Sequence, residues 1–148
     1  MQSLIMKTVL FLCTGNYYRS RLAEFYFNHL AAEHGQPWRA TSRGLRITGS
    51  NVGPLSAHTR AWLAQQGISA SEPHRMPEPV KEADFWSAQH IVAVKEAEHR
   101  SIIEDAFPQW TDRVEFWHVH DLDAATPDEA IPQLVAHVDE LFQRLTKE

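Results

Sequence analysis

Apolar residues recur along this chain at two different spacings, and the changes of spacing divide it into strands and helices. Lys7 to Thr14 (KTVLFLCT) is a compact β-branched and aromatic run, the pattern of a buried strand. Gly15-Asn16 interrupts it with two residues that tolerate unusual backbone angles. From about Ser20 to Glu33, Leu22, Ala23, Phe25, Tyr26, His29 and Leu30 follow helical spacing until Gly35 and Pro37 stop them. A short strand is predicted over Trp38–Thr41, a loop over Gly44–Pro54, and a helix over Ser56–Gln66 with Ser56 as N-cap and Gly67 as stop. Ser69–Val80, with its three prolines, reads as an irregular connection. After a short segment at Ala83–Phe85 come a strand at His90–Val94 and a helix at Glu96–Asp105, stopped by Phe107-Pro108. A short strand at Val114–Trp117 leads into His118–Asp123, and Asp128–Thr146 has the apolar spacing of a long helix.

Strands separated by helices predict a single α/β domain over 1–148. Its expected form is a three-layer sandwich: a central, mainly parallel four-stranded sheet with helices on both faces. Right-handed crossovers would gather the loops after the strands at one edge of that sheet, where ligands bind. The first of those loops contains Cys13 to Arg19.

Composition narrows the chemistry. The 148 residues carry a net charge of -5, which argues against nucleic acid or an anionic membrane as partner. Cys13 is the one cysteine, so an intrachain disulfide is impossible and a cysteine-based zinc site is not expected. The apolar run near the N-terminus is too short for a signal-peptide core or a membrane span, which makes a reducing cytoplasm the expected location.

Between the first strand and the first helix stands Cys13-Thr14-Gly15-Asn16-Tyr17-Tyr18-Arg19-Ser20. A tight loop turns successive backbone N–H groups toward an anion, and the helix N-terminus behind it adds donors and a favourable dipole. The same field favours a cysteine thiolate. Arg19 offers a planar pair of donors to two phosphate oxygens, and Ser20 a hydrogen bond to the sulfur. A cysteine ending a strand is by itself more often a small buried hydrophobe. Here the Gly-Asn pair, the Arg-Ser that follows, and the strand-loop-helix setting argue for a phosphate loop. An ATP-binding loop is excluded, because Gly-x4-Gly-Lys-Ser/Thr and its lysine are absent.

The segment CTGNYYRSRLAE resembles the low-molecular-weight protein tyrosine phosphatase family, whose signature is Cys-x-Gly-Asn-x-Cys-Arg-Ser, commonly followed two residues on by Ala-Glu. Weaker similarity continues through Ala40-Thr41-Ser42, Gly67-Ile68, His74-Arg75 and Ala83-Asp84 to the aspartate loop near Asp121. The resemblance implies that Cys13 is the nucleophile and Arg19 the phosphate clamp, with phosphate held along Thr14, Gly15, Asn16, Tyr17, Tyr18, Arg19 and Ser20. It also implies loop support from Asn16, Ser20, Ser42 and His74; on local sequence alone, turn or cap roles serve Ser20 and Ser42 equally well. The general acid it implies lies in Trp117–Asp123, where Asp121 is favoured and Asp123 is the alternative. His118 and His120 beside them suggest a metal, but a cysteine mechanism requires neither metal nor cofactor.

Three positions depart from the family pattern. Leu122 replaces the usual proline after the acid. Tyr18 replaces the second cysteine, so no neighbouring thiol can trap oxidised Cys13 as a disulfide. Tyr17 replaces a smaller residue and offers an aromatic wall, which suits an aryl phosphate and argues against a phosphoarginine substrate. Either tyrosine could instead pack against the first helix. The implied activity is hydrolysis of phosphate monoesters, with a phosphotyrosine-containing protein or small aryl phosphate as substrate and inorganic phosphate as product. A catalytically weak phosphate- or phosphotyrosine-binding regulator is the alternative. A thiol-dependent arsenate reductase of the same fold is disfavoured because it needs further cysteines.

Overall fold

The structure, a computed structural model, describes residues 5–68, 75–121 and 125–147. Its elements run β1 (Lys7–Cys13), α1 (Arg19–Glu33), β2 (Trp38–Gly44), α2 (Ala57–Gln65), α3 (Glu82–Ser87), β3 (His90–Ala93), α4 (Glu96–Ala106), β4 (Val114–Phe116) and α5 (Pro127–Thr146). The four strands form one sheet in the order β2-β1-β3-β4, and every pairing is parallel. This is the α/β architecture that alternating strands and helices predict.

β1 is buried on both faces because its side chains alternate between two cores. Val9, Phe11 and Cys13 join Leu22 and Phe27 of α1 and Leu134, Val138 and Leu141 of α5. Leu10 and Leu12 join Phe85 of α3, Ile103 of α4 and Trp110. Each fully buried side chain of this size contributes about 1.5–3 kcal/mol. α2 starts as expected at Ser56, whose hydroxyl accepts from the His58 N–H at 3.1 Å.

Most boundaries shift from the sequence expectation by about one residue, and two stretches differ by more. β2 extends three residues past Thr41, pairing with β1 without interruption from Lys7↔Trp38 to Cys13↔Gly44. Ser42 is fully buried there for its hydrogen bonds rather than for hydrophobicity, so apolar spacing gives no sign of it. After Phe107 the chain forms a 3-10 turn over Pro108–Arg113 that buries Trp110 before β4 begins.

Because the strands are parallel, their carboxyl ends lie at one edge. Cys13 ends β1, Gly44 ends β2, Glu98 follows β3 and Asp121 follows β4. One sheet edge thus receives four loops, which is where an open α/β sheet holds its ligand.

Candidate active site

The loop after β1 is held in shape by Asn16. Its φ of 51° is left-handed, the sole such value for a non-glycine among the described residues. That conformation costs of order 1 kcal/mol, and Asn tolerates it better than most residues. Asn16 is completely buried and makes four hydrogen bonds. Its Nδ2 donates to Ser20 Oγ at 3.0 Å and Ser42 Oγ at 2.9 Å. Its Oδ1 accepts from Arg75 Nη1 at 2.9 Å and from the Glu78 N–H at 3.0 Å. Arg75 Nη2 also donates to Ser42 Oγ at 3.0 Å, and Ser42 in turn donates to Glu24.

Cys13 Sγ lies 2.9 Å from Ser20 Oγ, the thiol donating. Since Asn16 already donates to that oxygen, the Ser20 proton is free to turn toward an ionised sulfur. Arg19, 2% exposed, is fastened from three directions. Nη1 donates to the Val119 carbonyl at 2.9 Å and to Glu98 Oε1 at 3.4 Å. Nη2 donates to Glu98 Oε2 at 3.1 Å and lies 3.4 Å from Asp121 Oδ2. Burial works against the guanidinium charge, but the negative groups at Cys13, Glu98 and Asp121 outweigh it and raise the Arg19 pKa above its ordinary value.

Glu98 is also gripped by Thr14, whose hydroxyl donates to Oε2. The Lys95 N–H donates to His99 Nδ1 at 3.1 Å, so in the neutral ring the proton sits on Nε2, 3.0 Å from Thr14 Oγ1. Burial lowers the pKa of His99 and keeps that ring neutral. Burial would raise the Glu98 carboxyl, yet hydrogen bonds from His99, Arg19 and Thr14 prevail and hold it well below the usual carboxylate range.

Cys13, Arg19 and Asp121 open on one cavity of about 210 Å³, also lined by Gly15, Tyr17, Tyr18, Asn51 and Ser56. The profile of the low molecular weight phosphotyrosine protein phosphatases matches residues 8–148. The chain belongs to that family. Its fold is shared with YfkJ from Bacillus subtilis, at 25% identity and a TM-score of 0.81 over 97% of this chain and 98% of that one. A low molecular weight protein tyrosine phosphatase from T. tengcongensis matches at 24% identity and 0.79, covering 93% and 99%. The YwlE arginine phosphatase from Geobacillus stearothermophilus matches at 23% and 0.74, covering 94% and 92%. No curated protein matches the chain. Family membership makes the protein a phosphatase, with a phosphorylated substrate and phosphate as product.

Within this phosphatase, most residues singled out from the sequence come together. Asn16, Ser20 and Ser42 form one hydrogen-bond network beside Cys13, and Asp121 reaches the same cavity. His74 and Asp123 lie outside the described residues. Among the described residues, Arg75, next in sequence to His74, donates to both Asn16 and Ser42. Glu98, His99 and Glu78 had no sequence signal; an acidic residue in the first turn of a helix is ordinary dipole compensation.

The two tyrosines have separate fates. Tyr17 is half-buried on the cavity wall, and its hydroxyl donates to the Val52 carbonyl at 2.6 Å. Tyr18 is 5% exposed, part of the α1–α5 core as well as the cavity lining, and its hydroxyl has no hydrogen-bond partner among the described residues. Burial, reinforced by the charge of Asp121, pushes its phenol up to about 12. His118 and His120 stack edge to face at 4.8 Å, and among the described residues no three His, Cys, Asp or Glu side chains converge as a metal site requires. Among those residues no helix is long and apolar enough to cross a membrane.

Proposed function

We propose that this phosphatase is a cytoplasmic enzyme that hydrolyses protein phosphotyrosine through a phosphocysteine intermediate. The observation that carries the reading is the convergence of Cys13, Arg19 and Asp121 on one small cavity at the carboxyl edge of the sheet. The Cys13 thiolate attacks phosphorus and forms a P–S bond as the P–O bond to the leaving group breaks. Loop amides and Arg19 stabilise the equatorial oxygens. Asp121, as the acid, gives its proton to the leaving oxygen. It then takes a proton from the water that attacks the phosphocysteine, releasing inorganic phosphate and restoring the thiolate.

Tyr17 supports the aryl substrate. Its hydroxyl bond to Val52 fixes the ring as a flat wall of the cavity, and a flat apolar wall favours stacking on a phenol ring. The cytoplasm suits a mechanism that depends on one reduced thiol with no second cysteine in the chain. The similarity in fold to the YwlE arginine phosphatase names the competing substrate class, phosphoarginine.

The test is metal-free hydrolysis of an aryl phosphate, a phosphotyrosine peptide and a phosphoarginine peptide by wild type, Cys13→Ser, Asp121→Asn and Asp123→Asn. Wild type is expected to prefer the aryl esters, Cys13→Ser to be inactive, and Asp121→Asn to lose about 10²–10⁴-fold in kcat. Activity retained by Cys13→Ser would sink the mechanism, and faster phosphoarginine turnover would sink the substrate. A strong loss in Asp123→Asn alone would transfer the acid to that residue. Phosphate binding without turnover would make the protein a regulator.

A further inference from the structure

We propose that Glu98 is the positioning residue of the phosphate clamp, tying Thr14 and Arg19 to each other so that the guanidinium meets phosphate along one edge only. The inference rests on Arg19 being the clamp and goes beyond it, because Glu98 touches no reacting atom.

The argument is a count of donors. A guanidinium has five N–H groups. On Nη1, the Val119 carbonyl at 2.9 Å and Glu98 Oε1 at 3.4 Å take both hydrogens. On Nη2, Glu98 Oε2 takes one at 3.1 Å, and Asp121 stands 3.4 Å away on the side of the cavity. Nε has no hydrogen-bond partner among the described residues. The pair left for two phosphate oxygens is therefore Nε–H and the Nη2 hydrogen that faces Asp121, the side-on fork that suits a bidentate anion. Without Glu98 the guanidinium would keep the Val119 carbonyl and the Asp121 ion pair, the latter on the edge that phosphate must occupy, and would lose the carboxylate that fixes its opposite end.

The same carboxylate bridges the loop. Thr14 follows the nucleophile, and Arg19 stands six positions after it; both donate to Glu98 Oε2. Thr14 is itself oriented by the buried His99 ring, which the Lys95 amide holds in place. The first turn of α4 thus joins Thr14 and Arg19, near the two ends of the loop, through one carboxylate. An arrangement of this kind acts on geometry, and a displacement of about 1 Å in such a site costs about a hundredfold in rate.

A double-mutant cycle separates this role from a general structural one. Wild type, Glu98→Gln, Arg19→Lys and the double variant would be compared by aryl phosphate kcat/KM and by calorimetric binding of inorganic phosphate, with thermal unfolding as a check of folding. Glu98→Gln is expected to lose about a hundredfold in kcat/KM. If Glu98 acts through Arg19, the double variant is no worse than Arg19→Lys alone, within about twofold, in both readouts. Losses that multiply, or a Glu98→Gln enzyme within about threefold of wild type, overturn the proposal. Should Glu98→Gln fail to fold, Thr14→Val replaces it in the same cycle and must show the same non-additivity. If wild type binds phosphate but hydrolyses no ester, the phosphatase mechanism falls and the binding cycle still decides the role of Glu98. If wild type binds no phosphate, both fall.

Discussion

Replacing Asn16 tests whether the Cys13–Ser20 loop is held by long-range hydrogen bonds or by its own turn sequence. Asn16→Ala removes four hydrogen bonds, buried ones to Ser20 and Ser42 and part-buried ones to Arg75 and the Glu78 amide. At about 0.5–1.5 kcal/mol each, that loss is about 2–6 kcal/mol, and the Glu78 N–H left unpaired adds to it. Alanine at a φ of 51° adds about 1 kcal/mol of backbone strain. Asn16→Gly loses the same bonds but not the strain; the extra freedom of glycine in the unfolded chain takes back about 0.4–1 kcal/mol, so the glycine variant should be at least as stable as the alanine variant. A domain of this kind has about 5–15 kcal/mol in total, so the alanine variant should unfold at markedly lower urea. Urea denaturation of wild type and both variants at pH 7, with common slopes, measures the three stabilities. An alanine variant within about 1 kcal/mol of wild type would refute the long-range account. An alanine variant more stable than the glycine variant by about 0.4–1 kcal/mol would refute the strain at this position.

Two further perturbations follow from single groups. Tyr18→Phe removes a buried hydroxyl with no partner among the described residues and should stabilise the protein by about 1 kcal/mol, raising Tm by roughly 2–4 °C; a fall in Tm would show that the hydroxyl pairs in solution. Burial would raise the Glu115 carboxyl, but bonds from His90, Arg144 and Trp117 prevail and bring it from 4.5 down to about 2. A depressed carboxylate contributes its stability fully above its unfolded pKa and loses it as pH falls through the folded value. The contribution of Glu115 should therefore disappear between about pH 4.5 and pH 2. Over that interval the unfolding free energy of wild type, from urea titrations, should fall more steeply than that of Glu115→Gln, by on the order of 2 kcal/mol; parallel profiles would remove Glu115 from the acid response.

How much of this was legible in the sequence depended on the kind of signal. β1, α1, α4 and α5 rest on burial of apolar side chains, and apolar spacing located them to within a few residues. The Cys13–Ser20 loop is local, with its chemistry and turn residues adjacent in sequence, so it could be read directly. The end of β2 could not, because Ser42 is buried for what it bonds to 26 positions away. Glu98 meets Arg19 across 79 positions and Arg75 meets Asn16 across 59. In the sequence each is an ordinary surface charge, and only the parallel sheet, by bringing all four strand ends to one edge, gives it a role.

The same topology explains how a tyrosine can stand at position 18. If the loop kept its shape by local turn preferences, a bulky aromatic in its middle would disturb it. Instead Asn16 holds the loop from the β2 side and Glu98 holds Thr14 and Arg19 from the α4 side. Tyr18, between these two braces, is left to enter the core shared by α1 and α5. Its ring burial there is favourable, and its hydroxyl, without a partner among the described residues, is the cost. Stability at position 18 and geometry at position 19 should then be separable: Tyr18→Phe should move Tm, whereas Glu98→Gln should move catalysis through Arg19.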